Sequence, residues 1–127
     1  MGHLEVFLLC FCVAGVCGQT IKLDYVINNQ LMTPNFHSMI NLRVLKGTPF
    51  IRVMEAAADI NPQFEFTGAY SSKLGYLITR INKRAANYNV DKTYWEAYNA
   101  SNVGIEGVSY YTPSDGDVVT FNFTKEA

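Results

Sequence analysis

Along most of the chain apolar and polar residues alternate in runs short enough to be strands, and in one place the period lengthens to that of a helix. Ile21, Leu23, Tyr25 and Ile27 alternate with Lys22, Asp24 and Asn28, the period-two pattern of a half-buried strand. Asn28-Asn29 breaks it. Ile40, Leu42 and Val44, spaced by Asn41 and Arg43, predict a second strand that ends at Lys46-Gly47. Thr48-Pro49 then reads as an N-cap with proline at the first helical position, where its missing N–H costs nothing. Phe50, Val53, Met54 and Ala57 follow at i, i+3, i+4 and i+7 until Asn61-Pro62 forbids continuation, so a helix of about three turns should lay one face on a sheet.

Four further strands are expected at residues 64–67, 76–81, 93–98 and 118–123. Each is short, rich in aromatic or β-branched residues and bounded by Gly, Asn or Asp, the composition that fits a pleated, half-buried surface. Asp115-Gly116 reads as a hairpin-type turn leading into the last one. One helix against a largely antiparallel sheet is the α+β layer arrangement that this order favours.

The first residues follow neither period. From Val6 to Val16 they are nearly all apolar, and Val16-Cys17-Gly18 before Gln19 suits signal peptidase, which predicts a signal peptide over 1–18 and a mature domain over 19–127. The run is shorter than the roughly 20 apolar residues of a spanning helix, so no membrane span is expected after cleavage. All three cysteines, Cys10, Cys12 and Cys17, lie in this segment. The secreted product would therefore be free of thiols and disulfides.

Charge and composition then narrow the chemistry. Loss of Glu5 leaves ten basic and ten acidic residues, with no block longer than Lys83-Arg84, which argues against nucleic acid or an anionic membrane as a partner. His37 becomes the only histidine and reads as a surface-loop residue; Cys/His zinc sites and thiol catalysis fall away with the cysteines. The acidic pairs Asp115/Asp117 and Glu55/Asp59 read as turn chemistry and as a solvated helix face. No constellation supplies a nucleophile with its base, so an enzyme is not expected. Asn99-Ala100-Ser101 and Asn122-Phe123-Thr124 are N-glycosylation sequons, Asn99 in an expected loop and Asn122 within a strand. Tyr70, Tyr76, Tyr88, Tyr94, Trp95, Tyr98, Tyr110 and Tyr111 could line a concave ligand site by stacking and burial, or alternate members could simply fill the core.

Taken together, Tyr25-Val26-Ile27-Asn28-Asn29-Gln30-Leu31, the helix from Val53 to Pro62, Lys92-Thr93-Tyr94-Trp95, Glu106-Gly107-Val108, Tyr111 with Pro113, and Asn122-Phe123-Thr124 resemble the C-terminal domain of the cobalamin carriers, the intrinsic factor and transcobalamin family. The resemblance implies a β-rich domain that closes one face of a corrinoid site, opposite a helical domain that this chain does not contain. It implies cobalamin as ligand and contacts from Lys73, Leu74, Gly75, Tyr76, Leu77 and Ile78. A second implied stretch comprises Trp95, Glu96, Ala97, Tyr98, Asn99, Ala100, Ser101, Asn102, Val103 and Gly104. Such a ligand needs apolar area plus backbone and hydroxyl hydrogen bonds, and no charged protein residue. A separate helical carrier domain or a receptor is the implied protein partner. The chain departs from the family at Leu74, where the carriers show tryptophan, at Asn99-Ala100 and Val103-Gly104, and in placing a sequon in the same loop. Those departures support a second reading, an extracellular module for a protein or glycan partner that keeps the fold without the vitamin.

Overall fold

A computed structural model of the protein describes residues 5–7, 18–73 and 75–127. Most of the segment read as a signal peptide, with its three cysteines, lies outside the described residues, as does Leu74. What is described forms eight strands in two sheets, with two helices. The α+β reading holds, with two sheets where one was expected.

The larger sheet has the order β1-β3-β2-β8-β7. Strand β2 (Thr20–Asn29) pairs antiparallel with β3 (Phe36–Leu45) and parallel with β8 (Asp117–Lys125), which pairs antiparallel with β7 (Thr93–Tyr98). The short β1 (Glu5–Phe7) runs parallel to β3 opposite Asn41, Leu42 and Arg43. Helix α1 (Phe50–Ile60) crosses one face of this sheet. Its Phe50, Val53, Met54 and Ala57 meet the inward residues of all four long strands: Leu23, Tyr25 and Ile27, Ile40 and Leu42, Val119 and Phe121, and Trp95 and Ala97. Three rings fix the centre, with Tyr25 edge-on to Phe50 at 5.1 Å and 5.0 Å from Phe64 between centroids, geometries that favour aromatic pairs. The Tyr25 hydroxyl is buried without a partner among the described residues, and burial raises its pKa well above the ordinary tyrosine value.

Three local departures from the sequence reading have physical causes. Strand β3 begins at Phe36, so His37 lies on a strand, where its Nδ1 stands 3.2 Å from Asn28 Oδ1; the alternation there is masked because Met39 faces outward. Thr48 does not cap α1: its hydroxyl donates to Leu45 O at 2.6 Å, Pro49 takes the cap position, and Phe50 and Ile51 donate to the carbonyls of Tyr111 (2.8 Å) and Val108 (3.0 Å). The helix start is thus satisfied by a distant loop. Third, Asp115-Gly116 does form a turn, with Asp117 N donating to Ser114 O at 3.0 Å and Gly116 at φ +81°. It docks on β2 through Lys22 and delivers β8 into parallel pairing, so it closes no hairpin.

The smaller sheet, β4 (Phe66–Ser71), β5 (Gly75–Ile81) and β6 (Arg84–Ala85), is antiparallel. A 3-10 turn, Pro62–Phe64, feeds it from α1. A one-turn helix α2 (Tyr88–Asp91) leads from it to β7. Among the described residues, no helix is long and apolar enough to cross a membrane.

Candidate functional site

Parts of two stretches far apart in sequence come together where β5 passes the edge of β7: Tyr76, Leu77 and Ile78 meet Trp95 and Ala97. The cleft between them is small, about 70 Å³, and is lined by Tyr76, Leu77 and Ile78 from one side and by Trp95, Ala97, Ile105 and Val108 from the other. A second hollow of about 400 Å³ continues past Ile105, Glu106 and Gly107 to Lys73, Gly104, Tyr110 and Tyr111. The two share Ile105, Glu106 and Gly107, so they flank a common ridge, the loop 105–111.

The β4–β5 hairpin supplies one wall. Gly75 opens β5 at φ +72°, a conformation that a Cβ disfavours, and a Cβ there would stand 3.1 Å from the Tyr110 ring and 3.2 Å from Ser109 Oγ. The hairpin tip therefore presses against the ridge, and Tyr76 N donates to Ser109 Oγ at 3.3 Å. Tyr76 and Leu77 remain exposed beside this contact, as does Tyr70, whose ring meets Tyr76 at 6.4 Å.

Strand β7 and its loop supply the other wall. Trp95 is only 7 % exposed; its indole N–H donates to Arg84 O at 3.0 Å, and its ring packs on Phe36 and Phe123. It is the floor beneath the surface, with an edge in the cleft. Ala97 is buried beside it while Glu96 points away, exposed, and Tyr98 is half-buried. After Tyr98 the chain doubles back: Tyr98 bridges Gly104, and Ile105 N donates to Ala97 O at 2.8 Å. Ala100, Ser101, Asn102, Val103 and Gly104 are all exposed on this return. Asn99 is turned inward, its Oδ1 accepting from Ser101 N (2.9 Å) and Val103 N (3.1 Å). Asn122 lies half-buried on the helix-free face of the sheet, its Oδ1 accepting from Asn28 Nδ2 at 2.8 Å.

Ile105, Glu106, Gly107 and Asp117 were not among the residues expected at this site, whereas Tyr110 and Tyr111 are among the tyrosines weighed as ligand-lining or core. The Tyr111 hydroxyl donates to Asp117 Oδ2 in a short hydrogen bond. Partial burial first, and then the Asp117 carboxylate, push the Tyr111 phenol up to about 12. A sequence signal for Asp117 existed: it takes the inward register of Val119, Phe121 and Phe123, where an acid is out of place. Of these tyrosines none is fully buried: Tyr70, Tyr76, Tyr88 and Tyr110 are exposed and Tyr94, Tyr98 and Tyr111 half-buried.

A helix on a five-stranded sheet, with a smaller second sheet beside it, defines a small β-rich domain, and its relatives fix its family. No protein-family model matches the chain. It is 36% identical over 107 residues to "Cobalamin binding intrinsic factor" of dog and of human, and 32% identical over 103 residues to human "Transcobalamin-1". The matches cover 83% and 80% of the chain, which spans about a quarter of the length of those curated relatives. Among solved structures, haptocorrin in complex with Cbi superposes with a TM-score of 0.73 at 27% identity, covering 88% of this chain and 27% of that one. A putative metal-binding protein from Ruminococcus gnavus shares the fold alone, with a TM-score of 0.60 at 9% identity over 84% of this chain and 99% of its own. The chain belongs to the cobalamin carrier family and corresponds to its C-terminal domain.

Proposed function

We propose that this chain is a secreted, non-catalytic cobalamin-binding domain that contributes one face of a corrinoid site. The observation that carries the reading is the approach of Tyr76, Leu77 and Ile78 to Trp95 and Ala97, in a chain whose relatives include cobalamin-binding intrinsic factor and haptocorrin in complex with Cbi. A cleft of about 70 Å³ cannot enclose a corrinoid. The disc lies across it, on Tyr76, Leu77, Ile105 and Tyr110, with the exposed backbone of 100–104 facing its fringe amides and Trp95 bracing the floor.

One face supplies only part of the area that a ligand of this size needs buried. A separate helical carrier domain closes the other side, and the lone domain binds weakly. Cleavage after Gly18 releases the mature chain from Gln19. N-glycosylation falls first at Asn99, on its loop, and second at Asn122, which lies on a strand with its side chain bonded to Asn28.

Titration of the deglycosylated mature protein with aquocobalamin, with and without a helical carrier domain, tests the reading through the corrinoid absorbance and calorimetry. Weak binding alone and tighter binding with the helical domain are expected. No change in either arm overturns the proposal and favours the protein- or glycan-binding module.

A further inference from the structure

The return loop 99–104 has little regular structure, yet its amides are individually held. Asn99 binds Ser101 N and Val103 N from within, and its own N–H donates to Val103 O at 3.0 Å. From outside the loop comes Asp117. One carboxylate oxygen accepts from Ala100 N at 3.2 Å and Val118 N at 2.9 Å; the other accepts from the Tyr111 hydroxyl, which the Asn99 side chain also reaches. Tyr111 is in turn pinned through its carbonyl, which accepts from Phe50 at the start of α1.

Asp117 stands at an inward position of β8, opposite Leu23 of β2, and is buried. A carboxylate there is tolerated because three donors converge on it. For stability alone an apolar side chain serves such a position as well or better. What the acid adds is geometry: it ties both ends of the 99–111 excursion, Ala100 at the start and Tyr111 at the finish, to the strand that follows.

We propose that Asp117, through the Ala100 amide and the Tyr111 hydroxyl, is the positioning residue that sets the shape of the corrinoid-facing loop. As a statement about ligand binding it rests on the function proposed above; as a statement about the loop it stands by itself.

The experiment is site-resolved amide hydrogen exchange on the mature domain carrying Asp117→Asn or Tyr111→Phe, paired with aquocobalamin titration in the presence of the helical carrier domain. Asp117→Asn should speed exchange at Ala100, Ser101 and Val103 by about ten-fold or more, the scale of losing a charge-assisted hydrogen bond, with β2 and β3 amides unchanged. Tyr111→Phe should give a smaller change at the same amides, and keeps the test open if Asp117→Asn does not fold. Corrinoid affinity should fall in the same order, and Asp117→Glu should restore part of both. Uniform acceleration across the chain, or none at 100–103, overturns the proposal. If the unmutated protein binds no corrinoid while the loop exchange changes as stated, the functional reading fails and the positioning role survives.

Discussion

The two sheets handle their side chains in opposite ways. Every long strand of the larger sheet sends alternate residues into the core beneath α1. In the smaller sheet β4 has no buried residue and β5 buries only Gly75 and Ile81 among those described. Tyr70, Tyr76 and Leu77 stand exposed there. The larger sheet spends its apolar residues on stability and the smaller leaves them for contact. The candidate site lies on the seam, with Trp95 anchored on one side and Gly75 pressed to the ridge from the other.

Trp95→Ala should break the anchored side outright. It removes packing on Phe36 and Phe123 together with the indole bond to Arg84 O, and a loss of about 3–5 kcal/mol in denaturant unfolding is expected. A loss below about 1 kcal/mol, the scale of ordinary substitutions, would mean that Trp95 is not core. On the other side, Gly75→Ala places a Cβ at positive φ against Tyr110 and Ser109, and should cost about 1–2 kcal/mol while displacing the ridge amides in NMR spectra. Tyr25→Phe sharpens the contrast from within the core, because it deletes a buried hydroxyl without a partner among the described residues; a gain of about 1 kcal/mol is expected in thermal unfolding. The smallest effect belongs to Tyr70→Ala. That ring is 72% exposed, so stability should move by no more than about 0.5 kcal/mol, and a larger loss would deny the smaller sheet its surplus of exposed rings.

How far the sequence carried the reading follows the same division. Where one face of a strand is buried, burial writes alternation into the chain, so Thr93–Tyr98 is read to its ends and β2 and β8 to within a few residues. In β4 that pressure is weak and its start is misplaced, because Phe64 belongs to the 3-10 turn, although β5 is read to within one residue. The start of α1 was misjudged for a different reason: its first N–H groups take carbonyls from residues some 60 positions later, and local cap chemistry has no view of that. Parallel pairing of β2 with β8 is likewise a matter of topology, which alternation does not encode. At the site, Tyr76 to Ile78 from one implied stretch do approach Trp95 and Ala97 from the other, yet Ile105, Glu106, Gly107 and Asp117 entered only with the structure. Asp117 read as turn chemistry because of its neighbours Asp115 and Gly116, although its register with Val119 and Phe121 marks it as an inward residue.

Strand β8 holds a further consequence. It lies between β2 and β7, and its bond from Asn28 to Asn122 joins residues 94 positions apart. During synthesis β2, β3 and α1 emerge together, but β2 keeps an open edge, and the core lacks Val119, Phe121 and Phe123, until β8 leaves the ribosome. Closing so long a loop carries an entropic cost that no earlier contact offsets. The domain should therefore fold only once β8 has emerged, its sheet and core incomplete until then.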